Sequence, residues 1–244
     1  MFVTIVFDVA MIWFMPRTEP VSRRERPAKP ALSRAAIVDA ALRVIEREGA
    51  HKLTMRRLAT ELDTGPASLY VYVKNTTELN AQLIDRLLAE LDLSWDGAES
   101  WRERLHRVLS DYSALLARRA ELANAALHVW PDGPNYLDLV ELVVRLLLSA
   151  GVSEQTAARS VDLLLQHATA SAAEWTAHAR EEGQDIADLT GTLAGADPTR
   201  HPTLTALGAS IFTEGSHLER SRWAIDTLID GILAGPGRRR ATKP

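Results

Sequence analysis

Cysteine is absent from this 244-residue chain. That excludes a disulfide framework, cysteine zinc sites and a thiol nucleophile, and it fits a reducing, cytoplasmic setting. A net positive charge is absent too. The formal balance is −4, so bulk electrostatics do not mark the whole protein as a nucleic-acid binder. Long apolar runs are lacking. Met1 to Met15 is mostly apolar, but Asp8 interrupts it and Pro16 closes it. The stretch is too short for a normal transmembrane span. It also has neither the positive start nor the small-residue cleavage site of a signal peptide. It reads as an upstream extension outside the working fold, with Met11 and Met15 as alternative starts. A membrane or partner anchor is the competing reading, and no membrane partner is expected. Beyond it no strand-like alternation, internal repeat or low-complexity tract stands out. Nucleophile motifs, metal-ligand spacings and phosphate loops are missing as well. No cofactor, metal or enzymatic activity is therefore expected.

What is present is the composition of an ordinary globular protein, 46% hydrophobic and 25% charged. The length suffices for one large or two modest domains with a sizeable core. The charge is unevenly spread. Arg17, Arg23, Arg24, Arg26, Lys29 and Arg34 face only Glu19 and Glu25, and Arg238, Arg239, Arg240 and Lys243 crowd the end. Residues 1–30 read as a disordered or extension arm and 236–244 as a basic tail. Both fit solvated tails and electrostatic tethers to phosphate equally well.

Between these ends the periodicity is helical throughout. Ser33 caps a first helix with Ile37, Ala41, Leu42 and Ile45 on its inner face, and Gly49 ends it. Thr54 caps a second, with Met55, Leu58, Ala59 and Leu62 inward. Asp63 to Gly65 form a turn, and a third helix starts near Pro66. Thr76 or Thr77 caps a fourth, striped by Leu79, Leu83, Leu87, Leu88 and Leu91. Further helices are expected over Ala98–Arg119, Glu121–Val129, Tyr136–Ala150, Ser153–Glu182 and His217–Ala234. Gln184 to Pro202, rich in Gly, Asp, Thr and Pro, reads as a long loop. The fold class is all-α. A three-helix, helix-turn-helix domain spans 31–92, and a larger helical domain spans 93–235.

The stretch from Leu53 to Leu79 carries the functional signal. A tight turn at Asp63, Thr64 and Gly65 sets the third helix steeply against the second. Small residues at Gly65, Pro66, Ala67 and Ser68 let that helix approach another backbone closely. Leu69 and Val73 point inward, which leaves Tyr70, Tyr72, Lys74 and Asn75 outside. A helix laid in a DNA groove is furnished this way. The competing reading makes Tyr70 and Tyr72 core aromatics. They stand two residues apart, so they do not share one buried helical face.

Residues from about Ser33 to Leu91 resemble the DNA-binding domain of the tetracycline-repressor (TetR) family of transcriptional regulators. The resemblance rests on Ile37-Val-Asp-Ala-Ala-Leu, Gly49, Leu53-Thr-Met-Arg-Arg-Leu-Ala, Leu69-Tyr-Val-Tyr-Val-Lys-Asn and Leu79. The Val-Lys-Asn ending, Trp95-Asp96 and Trp101-Arg-Glu-Arg-Leu are similar to the tetracycline-repressor branch. The remainder resembles the family only in being helical and in length. The resemblance implies base contacts from Thr64, Gly65, Pro66 and Ala67. It implies phosphate contacts from Thr54, Ser68, Tyr70, Tyr72 and Lys74, with Arg56 and Arg57 beside the groove. Two positions depart from the family pattern. Asp63 stands where Gly is usual, and Thr76 where Lys is usual. The second change removes one phosphate charge, so the salt slope should be shallower by about one unit.

By the same resemblance the C-terminal region supplies an effector pocket and a homodimer interface, and the DNA partner is a double-stranded palindromic operator. The two last long helices offer Leu163, Leu164, Ala168, Ser171, Ala172 and Trp175, then Trp223, Ile225, Leu228, Ile229 and Ile232. Two copies of that pair make a symmetric four-helix contact, although part of each stripe is intramolecular core. Candidate pocket aromatics and anchors are His106, Tyr112, His128 and Trp130. Asn135, Tyr136, His167 and Trp175 complete the set. Each alone is more often a satisfied core residue. The small-molecule effector has no signature in the sequence. A ligand-released repressor is the leading reading, and a helical protein-interaction adaptor without specific DNA binding is the alternative.

Overall fold

Side-chain caps set where the first helices begin. The computed structural model describes residues 31–180 and 184–235. The arm expected over 1–30 and the tail over 236–244 lie outside the described residues. The Ser33 hydroxyl accepts from the Ala36 N–H to open α1 (Arg34–Glu48), and Gly49, at φ 85°, ends it. The Thr54 hydroxyl accepts from Arg57 N–H to open α2 (Met55–Glu61). Asp63 then turns the chain at φ 48°, alone in the left-handed region among the described non-glycine residues. Asp tolerates that conformation better than most residues do. Pro66 opens α3 (Pro66–Leu69) in the first-turn position that suits its missing N–H.

The fourth helix, α4 (Thr76–Leu88), corrects the expected cap. Asn75, not Thr76 or Thr77, accepts from Glu78 N–H at 2.8 Å. The Glu78 carboxylate reaches back to the Lys74 N–H at 2.7 Å. An Asn side chain is long enough to reach the N–H three residues on, and its own extended backbone frees it to do so.

The remaining helices follow the sequence pattern with shifted ends: α5 (Trp101–Ala117) and α8 (Glu154–Arg180) are shorter than expected, while α6 (Ala120–Ala126) and α7 (Pro134–Ser149) start one and two residues earlier and stop sooner. The expected loop from Gln184 to Pro202 is corrected. It holds α9 (Gln184–Ala194), and a short bend then leads to α10 (Pro202–Leu207). Ile186, Leu189, Thr190 and Leu193 already carry helical spacing, which the surrounding Gly, Asp and Thr residues obscured. The last helix, α11 (His217–Ala234), starts with a reciprocal capping box between Ser216 and Glu219. No strand occurs among the described residues. Nor is any of their helices long and apolar enough to cross a membrane.

One apolar seam runs through α1 to α4: Ile37, Ala41, Val44, Leu58, Leu69, Val73, Leu79 and Leu83 are essentially inaccessible. Val44 occupies the inner face where Leu42 was expected, and Leu42 and Leu62 are half-buried. The seam continues because α4 packs on α6 and α7 as well as on α1. Beyond it α5 lies along α8, where Ala168, Ala172 and Ser171 are buried and small enough for close helix approach.

The α4–α5 connection is fixed by a buried charge. Arg104 on α5 is 1% exposed. Its guanidinium donates to the carbonyls of Ser94 at 2.9 Å and Asp92 at 2.5 Å. Those bonds compensate the desolvated cation and tie the chain leaving α4 to the α5 scaffold.

Candidate functional site

The turn between α2 and α3 builds a protruding edge. Thr54, Arg56, Gly65, Pro66, Ala67, Ser68, Tyr70 and Lys74 are exposed, and Thr64 and Tyr72 are half-buried. Leu69 and Val73 hold this edge from inside at 0% exposure, while Tyr70 is 52% and Val71 78% exposed. A Cβ at Gly65 would meet nothing within 4 Å, and Gly65 has an ordinary φ of −81°. The fold therefore places no demand for glycine there, and the missing side chain leaves open space above the edge.

The expected groove-side residues do not all share this edge. Arg57 is bound to Glu48, with Nε donating at 3.0 Å, and to Glu61, with Nη2 donating at 3.0 Å. Arg47 joins at 2.6 Å from Glu61. This network ties α1 to α2 and fixes the angle from which α3 projects. The Arg47 and Arg57 hydrogen bonds hold the Glu61 carboxyl down at about 2, and the bonds to Glu48 and then to Glu61 raise the Arg57 guanidinium above its ordinary value. Asn75, left outside with the tyrosines by the sequence, serves as the α4 cap instead.

A partly open cavity of about 370 Å³ lies behind α4, lined by Ile84, Tyr112, Trp130, Tyr136, Leu165 and Thr169. Asp162 and Gln166, one turn apart on α8, also line it. The Tyr112 hydroxyl pairs with Thr169 Oγ1 at 2.8 Å, and burial pushes its pKa up to about 12. Tyr136 is raised as well, first by burial and then by the negative charge of Asp162.

Of the expected pocket residues, the structure thus brings together Tyr112, Trp130 and Tyr136. The others are dispersed. His106 is buried against α11, its Nε2 2.8 Å from Asp226 Oδ1, which holds the Asp226 carboxyl below its usual range. Arg102 binds the same carboxylate at 2.9 Å. His128 is exposed after α6. Asn135 turns away to Asp85, and His167 lines a separate cavity of about 630 Å³ between α8 and α11. Trp175 stacks on His217 with ring centroids 4.4 Å apart. Among the described residues no group of three or more metal-ligating side chains converges.

Sequence reasoning missed Ile84, Asp162, Gln166 and Thr169 as pocket residues, and it missed Asp85. This carboxylate sits in the apolar stripe of α4 and is 8% exposed. It accepts from Tyr136 N–H and from Asn135 Nδ2, each at 2.9 Å. It therefore caps the start of α7, whose third residue, Tyr136, forms a cavity wall. A carboxylate inside an apolar stripe must find donors; that was the available signal. Gly133 makes room for it, since a Cβ there would stand 2.2 Å from the carboxylate.

The outward faces of α8 and α11 expose Leu163, Trp175, Leu218 and Trp223, with Trp223 at 70%.

Comparison with known proteins places the chain. Residues 37–83 match the family model for bacterial regulatory proteins of the tetR family, and residues 95–235 match the tetracyclin repressor-like C-terminal domain. An HTH-type transcriptional regulator from Saccharopolyspora erythraea is 32% identical over 149 residues, covering 57% of each chain. The HTH-type transcriptional repressor DrrR1 of Streptomyces coeruleorubidus is 33% identical over 133 residues, covering 54% of this chain and 49% of DrrR1. The chain thus spans about half the length of the curated relatives it matches. Among solved structures, the Streptomyces protein SCO7704 is 46% identical at a TM-score of 0.74, over 87% of this chain and all (100%) of that one. The TetR family protein ActR of Streptomyces coelicolor, in complex with actinorhodin, is 32% identical at a TM-score of 0.74, over 86% of this chain and 100% of its own. With both family models matched, the second across more than half of its length, the chain belongs to the tetR family of bacterial regulatory proteins.

Proposed function

We propose that the protein is a homodimeric transcriptional repressor that leaves its operator when a small molecule fills the cavity behind α4. Residues 31–92 form the reading head and 93–235 the sensing and dimerising body. The observation that carries the reading is the position of α4. One end follows directly from the α3 edge, and Ile84 and Asp85 near the other face the cavity and its α7 wall. Thr64, Gly65, Pro66 and Ala67 meet base edges in the major groove. Thr54, Arg56, Ser68, Tyr70, Tyr72 and Lys74 meet phosphates. Arg57 acts as a strut between α1 and α2, because its Nε and Nη2 donors bind Glu48 and Glu61. Work on DNA fits a cytoplasmic protein.

Dimerisation uses the exposed faces of α8 and α11. A two-fold pair sets the two reading edges roughly 34–36 Å apart, one helical turn of DNA, and requires a palindromic site. A ligand that displaces Trp130 or Tyr136 disturbs the α7 start held by Asp85. Since Arg104 fixes the chain beyond α4, the response is a tilt of α4 that moves the reading edge. The ligand drives this only as far as its affinities for the two states differ. ActR, a relative solved with actinorhodin, supports a ligand-responsive reading over the adaptor alternative. A gel-shift titration on the DNA upstream of the protein's own gene tests it. A sequence-specific shift lost on adding a ligand is expected; absence of any specific shift there and in a selected site library overturns it.

A further inference from the structure

The charge of the cavity points to a class of ligand. Among the described residues lining it, Asp162 is the one side chain formally charged at neutral pH; no lysine, arginine or histidine lines the space. The Gln166 amide donates to both Asp162 oxygens, at 2.9 and 3.0 Å. A carboxylate offers about four lone-pair sites, so it has capacity for a further donor. It is hydrogen-bonded on α8 by its i+4 neighbour and lines the same cavity as Tyr136, whose hydroxyl feels its charge. The walls present Tyr112, Trp130 and Tyr136. Aromatic faces carry negative quadrupole and attract cations. The Tyr112 hydroxyl is paired with Thr169 and carries no positive charge to pair with an anion.

We infer that this cavity selects planar aromatic ligands bearing a positive charge, such as a protonated or quaternary amine, with Asp162 as the counter-charge and the three rings as walls. An anionic aromatic of equal size meets a negative carboxylate and ring faces with no cation to pair. The inference rests on the cavity being the effector site proposed above, yet its test does not need DNA. A carboxylate within about 4 Å of a ligand charge in a partly desolvated site is strong enough to set the sign of selectivity.

The experiment uses the full chain and three matched probes: naphthylmethyl-trimethylammonium, naphthalenemethanol and naphthalenesulfonate. Isothermal titration should give a dissociation constant for the ammonium about tenfold or more below that of the sulfonate, with the alcohol between. Asp162→Asn should bring the ammonium-to-sulfonate ratio close to one. The same variant should leave alcohol affinity within about twofold, because it removes charge and not shape. Sulfonate binding as tight as ammonium binding overturns the inference. So does a charge preference that survives Asp162→Asn, or failure of all three probes to bind. An Asp162-dependent preference for the ammonium sustains the ligand class even where gel shifts find no specific DNA complex, so the two readings fail separately.

Discussion

Replacing Gly133 by alanine sets a methyl group where the Asp85 carboxylate stands. The added carbon would lie 2.2 Å from both Cγ and Oδ2 and 2.5 Å from Oδ1. Neither the α7 start nor α4 has slack, because Asp85 is 8% exposed and its neighbours Leu83, Ile84, Leu87 and Leu88 are core. The carboxylate has to swing away and lose the Tyr136 N–H and Asn135 amide, each now 2.9 Å away. Leaving such a buried acceptor unpaired costs about 1–3 kcal/mol, and forcing a methyl into a packed site costs about 1–3 kcal/mol. Swinging away relieves part of the clash, so the two do not simply add. A net loss of about 3 kcal/mol is expected. At roughly 2–4 °C per kcal/mol for a chain of this size, melting should fall by about 6–12 °C. Calorimetric melts at one protein concentration read it. The same variant should still bind ligand while its operator release is blunted, since the contact between cavity wall and α4 is broken. A melting point within 1–2 °C of the parent (roughly 0.5 kcal/mol), with normal release, would refute both the packing argument and the coupling.

Other substitutions separate the remaining parts. Gly65→Ala, with open space around the new Cβ, should change stability by no more than about 0.5 kcal/mol yet weaken operator binding about tenfold in anisotropy titrations; equal affinity removes Gly65 from the interface. Glu61→Gln should lower the melting point at neutral pH. The Glu61 carboxyl sits at about 2 against an ordinary 4.5, so its contribution is full above the ordinary value and lost as pH falls through about 2. The gap between parent and variant should therefore close across that window, and a gap constant with pH contradicts the charge network. Trp223→Glu places a charge on the most exposed large apolar side chain of α11. It should weaken dimerisation by about 2–4 kcal/mol in sedimentation velocity, and an unchanged dimer dissociation constant excludes that face.

Much of the fold was legible because its signals are local. Ser33 and Thr54 announced their helices, and Gly49 and Asp63 announced their turns, each through chemistry within a few residues. The exposed α2–α3 edge was legible for the same reason: Leu69 and Val73 fix its inner side, so Tyr70 and Lys74 must lie outside. Asn75 was misread because three adjacent residues, Asn75, Thr76 and Thr77, are all competent caps, and only the backbone decides among them. The helix at Gln184–Ala194 was hidden by residues that favour loops but tolerate helices. The cavity was the least legible part. Tyr112 and Tyr136 stand on different helices, and their convergence with Asp162 and Thr169 is a property of packing, not of spacing. His106 and Asn135 were expected among the polar pocket anchors, but each is taken up by a carboxylate elsewhere. Their partners, Asp226 and Asp85, are distant in sequence.

Selection of binding sites from a random duplex library, followed by anisotropy titration of the enriched sequence, tests the central claim most directly. The account predicts a palindrome with half-sites about one helical turn apart, bound by two chains per duplex and released by a ligand of the cavity. Enrichment of no sequence, or binding that ignores the sequence and falls only with salt, would contradict it.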